Sequence, residues 1–195
     1  LALISAAGEP EAIDQIDGLL IVPLDGTAIT NFQELRDILY VFKRAKTVGY
    51  SDNGDVPSSW PFTQVDQAIG CPVHGIATVI DSGGTYADYI VTASYAGVMV
   101  FNGQYGRPEL SWKIQGFWFA QDRFEFKAIQ MCVDTISKSL YLVLPDRRVL
   151  KGDYSEGMDP MKIKWWPFSF DVRISSVAIT NTDDIILGAD TRLVS

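Results

Sequence analysis

The sequence is short of the residues on which most recognisable chemistry rests. It has one histidine, His74, and two cysteines, Cys71 and Cys132. Without a second His or a Cys cluster at ligand spacing there is no metal site to read. Two thiols make no disulfide framework, so both are expected as buried free thiols. No Ser or Cys nucleophile sits in a recognisable elbow, and neither G-x-x-x-x-G-K-[ST] nor G-x-G-x-x-G is present. Hydrolase chemistry and a nucleotide cradle therefore have no sequence support; no cofactor is expected and catalytic residues cannot be named.

Positive charge is scarce as well. Sixteen Lys and Arg stand against 24 Asp and Glu, a net charge of −8, so a phosphate backbone would meet repulsion over most of the surface and nucleic acid is a poor partner. No apolar run approaches the roughly 18 residues of a membrane-spanning helix. The longest, such as Leu19 to Val22 and Ile38 to Phe42, are strand-sized, so a soluble protein is expected. The opening Leu1 to Ala7 is apolar but lacks the basic leader and processing site of a secretory signal. Its first residue is Leu1 and not methionine, which leads us to expect a processed product or a piece of a longer reading frame.

What the chain does have is 47 % hydrophobic and 12 % aromatic residues against 21 % charged, a globular composition that excludes disorder and collagen-like repetition. It also has a period. Trp60, Trp112 and Trp165 recur about 50 residues apart, each after the same order of short apolar runs. The first runs are 18–25, 74–81, 127–134 and, more loosely, 175–180; the second are 37–42, 88–93, 139–144 and 184–188; the third are 47–50, 97–101, 148–151 and 191–194. They are rich in β-branched and aromatic residues, as strands prefer, and are separated by turns carrying Asn, Asp or Gly.

Four short strands per unit predict an all-β, β-propeller-like domain over 1–195, with repeats at 18–73, 74–126, 127–173 and a truncated 174–195. Another repetitive β-sandwich array is the alternative. The three Trp rings are expected on the fourth strands as packing surface, without a chemical task. Either the N-terminal Ala2-Leu3-Ile4 region pairs with the last unit and closes a four-bladed ring, or the ring is completed elsewhere, as a fragment of a larger propeller or by another copy. One segment conflicts locally: 31–42 has helical apolar spacing and an Asn31-x-x-Glu34 opening like a capping box. The repeat register instead makes Ile38 to Phe42 a strand and leaves Thr30 to Arg36 as a loop or single helical turn.

Asp25, Asp81 and Asp134 recur at the ends of the first runs and would line one rim, as an acidic mouth for a cation or sugar or as carboxylates capping their own turns. Asp183-Asp184 adds a carboxylate pair. Lys43-Arg44-x-Lys46 and Arg147-Arg148 sit between second and third strands and would give a local positive zone or a solvated face. Ser51-Asp52-Asn53-Gly54 ahead of Trp60 partly echoes the Asp-box of sialidase-type propellers, with different spacings and no repetition in the next units.

Residues 31–42, the segment 51–60 and Gly106-Arg107-Pro108-Glu109-Leu110-Ser111-Trp112-Lys113, within Gly18 to Trp118, resemble virion-associated propeller proteins of tailed bacteriophages. The resemblance spans roughly half the chain and brings no functional residues with it. It implies a structural part of the particle near the tail or portal, working through protein contacts or self-association at blade edges; the competing expectation is a glycan-binding or sialidase-like propeller.

Overall fold

A computed structural model describes residues 2–6, 9–19, 27–66, 69–72, 76–81, 87–102, 109–146, 148–180, 182 and 184–190. They form antiparallel sheets in which strand order follows chain order. The first sheet is β1 (Ala2–Ala6) and β2 (Glu9–Leu19). The second is β3 (Ile29–Leu35), β4 (Ile38–Lys43), β5 (Thr47–Ser51) and β6 (Phe62–Asp66). The third is β7 (Ile76–Asp81), β8 (Ala87–Ala93) and β9 (Val98–Phe101). The fourth is β10 (Gln130–Asp134), β11 (Ser139–Val143), β12 (Arg148–Asp153) and β13 (Lys164–Ser169). The fifth pairs β14 (Arg173–Ile179) with β15 (Ile185–Asp190). The fold is all-β, and among the described residues the sheets remain separate, without closing into a barrel.

The 31–42 segment is a hairpin. Arg36 and Asp37 have φ of 54° and 60°, the pair of positive values that a two-residue type I′ turn requires, and Leu35 pairs with Ile38 across it. The expected loop or helical turn at Thr30 to Arg36 is thus strand β3. Glu34, which would complete a helix-capping box, instead accepts a hydrogen bond at Oε1 from the Asp37 backbone N–H, 3.1 Å away, and so caps the hairpin turn. Asn31 Oδ1 accepts from the neighbouring Phe32 N–H. Because β3 is the first strand of its sheet, the expected first strand at 18–25 is displaced: 18–19 end β2, and 20–26 lie outside the described residues.

Successive side chains of a strand point to opposite faces, and here both faces of the central strands are buried. Tyr40 and Phe42 of β4 pack with Ile90 and Phe101 of the third sheet, the Tyr40 ring meeting the Phe101 ring edge-on at 4.7 Å. Val41, between them, packs on the opposite face with Val48 and Tyr50. In β11, Leu140 and Leu142 join Val91, Ala93 and Val98 in a core between the third and fourth sheets, while Tyr141 and Val143 join Ile174 in one between the fourth and fifth. Each such apolar side chain contributes about 1.5–3 kcal/mol on leaving water. This two-sided burial explains why these strands read as unbroken apolar runs and not as alternating ones.

A fourth strand on the third sheet was expected at Trp112; a helical segment takes its place. Leu110 donates its N–H to the Val98 carbonyl at 2.7 Å, and the Ser111 hydroxyl accepts the Val98 N–H at 3.0 Å. With a side chain standing where a strand carbonyl would be, the ladder stops. The chain then coils through 3₁₀ turns at Trp112–Ile114 and Arg123–Ala128 and the short helix α1 (Gln115–Phe119). Trp118, 1 % exposed, fills the buried place and donates Nε1–H to the Ser94 carbonyl, whereas Trp112 is 51 % exposed. Trp60 precedes β6, and Trp165 lies in β13. Among the described residues no helix is long and apolar enough to cross a membrane.

Candidate functional site

A concavity lies at the end of the second sheet where β3 turns into β4 and β5 leaves for β6. It is a cleft of about 240 Å³ lined by Glu34, Asp37, Leu39, Tyr50, Asp52 and Trp60. The type I′ turn brings Glu34 and Asp37 to one wall. The other wall is the loop after β5, folded on itself by short-range bonds: Asp52 Oδ1 accepts from Gly54 N–H at 2.8 Å, and Asn53 Oδ1 accepts from Asp55 N–H at 3.2 Å. Gly54 takes φ of 79° in open space, a left-handed turn position for which glycine is suited. Trp60 donates Nε1–H to the Asp55 carbonyl at 3.1 Å, which fixes the indole against the loop. Among the described residues the lining therefore combines apolar and aromatic surface with three carboxylates and no lysine or arginine. Sequence reading singled out Asp52 and Trp60 but missed Glu34 and Asp37, because only the hairpin turn brings them to the same end of the sheet.

Two of the three carboxylates expected on one rim fall within described strands. Asp81 and Asp134 close β7 and β10 at equivalent positions, opposite Ala87 and Ser139, and β7 lies beside β10. Asp25 lies outside the described residues. Asp134 is engaged in its own turn. Its carboxylate accepts the Ile136 and Ser137 N–H groups, each at 2.9 Å, and the Ser137 hydroxyl, while its backbone carbonyl accepts from Tyr154 Oη–H at 3.2 Å. Burial opposes ionisation here, yet those hydrogen bonds together with nearby Lys151 hold the Asp134 carboxyl below its ordinary value. Asp184 likewise serves a turn, accepting from the Thr182 hydroxyl at 2.9 Å; Asp183 and His74 lie outside the described residues.

The basic clusters occupy the other end of the sheets. Lys43, Arg44 and Lys46 form the β4–β5 turn, and Arg148 opens β12 after the equivalent β11–β12 turn; Arg147 lies outside the described residues. Arg148 is paired with Asp146 at 3.2 Å and lies over the Phe117 ring. One end of the sheets thus carries Glu34, Asp37, Asp52 and Asp134 together with Arg36 and Lys138, and the other carries the basic clusters with Asp146.

Neither thiol is poised for reaction. Burial pushes the Cys71 thiol up to about 12, and burial followed by the nearby Asp134 charge pushes half-buried Cys132 up to about 11. Among the described residues no group of three His, Cys, Asp or Glu side chains is placed to hold a metal ion. No protein-family model and no curated protein sequence matches this chain.

Proposed function

We propose that the chain is a non-catalytic structural or protein-interaction module of β-propeller type, a part of a phage virion near the tail or portal, working through the rims and edges of its sheets. One observation carries the reading: the central strands bury both faces against neighbouring sheets while the Asp134 carboxylate is engaged by its own turn. The Asp134 carboxylate thus holds its own turn. The propeller is supported by neighbour relations among first strands, since β10 lies between β7 and β14, as inner strands of successive blades would.

The cleft between Glu34 and Trp60 favours a second reading, a carbohydrate-binding propeller, because an aromatic wall beside carboxylates suits a sugar's apolar face and hydroxyls. A glycan array separates the two. The structural reading expects no reproducible binder; a glycan held specifically by the chain and lost in both Trp60→Ala and Asp52→Asn would overturn it.

A further inference from the structure

We infer that the cleft between Glu34 and Trp60 is a docking site for one arginine side chain, presented by a basic segment of a partner protein. The inference rests on the interaction-module reading and gives one partner its chemistry.

The cross-strand pairing places the groups. Glu34 lies opposite Leu39, Leu39 opposite Tyr50 and Tyr50 opposite Phe62, so a carboxylate, an aliphatic side chain and two rings follow one another across one face of the second sheet. Tyr50 is 1 % exposed and Phe62 51 %, with their ring centroids 6.2 Å apart, so the row runs from buried floor to open surface. Trp60 stands against this row, and Asp37 and Asp52 join Glu34 in the lining. An arginine side chain has the same division, an apolar stem that packs on rings and a cationic head that seeks carboxylates.

Hydrogen-bond polarity selects the head group. Apart from the hydroxyl of buried Tyr50, the polar side-chain atoms offered to a ligand are carboxylate oxygens, because the Trp60 N–H is held by the Asp55 carbonyl. The turns engage Glu34 Oε1 and Asp52 Oδ1, which leaves Glu34 Oε2 and Asp52 Oδ2 to a ligand. A sugar hydroxyl both donates and accepts, whereas a guanidinium has five donors and no acceptor. Its planar fork also matches carboxylates and stacks on an indole face.

Charge and size agree. Among the described residues the lining holds no cation, and the charge of neighbouring Arg36 acts on Tyr40, whose ring packs on the opposite face of the sheet. The three carboxylates form no group that could hold a metal ion, so an extended organic cation suits them better than a bare one. The cleft of about 240 Å³ is below the roughly 300–1,000 Å³ of sites for drug-sized ligands and is on the scale of a single side chain. A net charge of −8 adds long-range attraction for a basic partner.

The indole N–H resonance of Trp60, identified by its loss in Trp60→Phe, reports occupancy directly in nuclear magnetic resonance spectra of the full chain. Titration with the blocked peptide Gly-Arg-Gly is expected to shift that resonance saturably. The same peptide with citrulline, which keeps the shape and loses the charge, should leave it unmoved. Glu34→Gln and Asp52→Asn retain the oxygens that accept the turn N–H groups, so the fold is kept, and each should weaken the arginine peptide about threefold or more. No shift with the arginine peptide, an equal response to citrulline, or indifference of both variants overturns the inference. A glycan that moves the Trp60 resonance when the arginine peptide does not overturns it in favour of the carbohydrate reading. A resonance that answers to neither overturns the arginine site alone and leaves the interaction-module reading in place.

Discussion

Trp165 donates its indole N–H to the Leu110 carbonyl, 3.2 Å away, and thereby ties the outer strand of the fourth sheet to the helical segment that replaces an outer strand in the third. The ring also lies over Gly152, directly opposite in β12, where a Cβ would come within 2.9 Å of it. Lys113 adds a bond from Nζ to the Ile163 carbonyl at 3.0 Å. The contact between the two sheets is thus completed by a strand on one side and a coil on the other.

Two tryptophans with the same periodic place should therefore differ in worth. Trp165→Ala loses a half-buried ring and its hydrogen bond, and is expected to lower stability by about 2–4 kcal/mol in urea unfolding. Trp112→Ala removes a ring that is 51 % exposed on a 3₁₀ turn and should stay within about 1 kcal/mol of wild type. Equal losses would mean that the two rings have equivalent surroundings after all.

The link between the second and third sheets makes a sharper demand on one residue. Residues 69–72 run buried across the end of the second sheet, where Cys71 donates its N–H to the Lys43 carbonyl at 3.0 Å and Thr47 donates its hydroxyl to the Ile69 carbonyl at 2.9 Å. A Cβ on Gly70 would overlap the Lys43 carbonyl and approach the Ala45 nitrogen at 2.7 Å. Gly70→Ala is expected to cost about 2–4 kcal/mol, since backbone must move to admit the methyl. Gly116→Ala is the control: its Cβ meets nothing within 4 Å, and in α1 alanine should be neutral or stabilising by up to about 1 kcal/mol. Urea midpoints of the two variants check both.

Asp134 predicts how stability responds to acid. Its carboxyl is held below the ordinary value of 3.8, so the folded state binds the proton less readily than the unfolded chain. The contribution is therefore fully present above the unfolded value and is lost as pH falls through the folded one. Asp134→Asn should cost about 1–2 kcal/mol at neutral pH, and the gap to wild type should narrow below about pH 4. Thermal melts of both proteins between pH 3 and 7 measure it; a gap that widens with acid would contradict the turn-capping role.

How far the strands were legible depended on which signal marked them. β4, β8, β11 and their successors were readable because burial on two faces leaves unbroken apolar runs around Val41, Ile90 and Leu142. The first strand of the second sheet was misplaced because β3 has Phe32, Gln33 and Glu34 at least partly in solvent and carries a helix-like spacing. Trp112 kept the period without the strand, since Ser111 Oγ, a single side-chain atom, ends the ladder there. The acidic end was legible through Asp134, but the cleft was not: Glu34 and Asp37 share a wall only through two positive φ values at Arg36 and Asp37, which residue types other than glycine seldom announce.

That turn offers a test whose sign depends on the structure. Arg36 and Asp37 both occupy left-handed conformations, which are costly for arginine and tolerated by aspartate, whereas Asn-Gly is the pair best suited to a type I′ turn. The double change Arg36→Asn, Asp37→Gly is therefore expected to raise stability by about 1 kcal/mol, even though it introduces the most flexible residue. In a helix running through 31–42 the same change would place glycine in the interior and lower stability by a similar amount. Glu34→Ala should act in the opposite direction, because it removes the acceptor for the Asp37 N–H, at a cost of about 0.5–1.5 kcal/mol. Denaturant midpoints that rise for the turn pair and fall for Glu34→Ala fit the hairpin; a fall for both would return the segment to the helical reading.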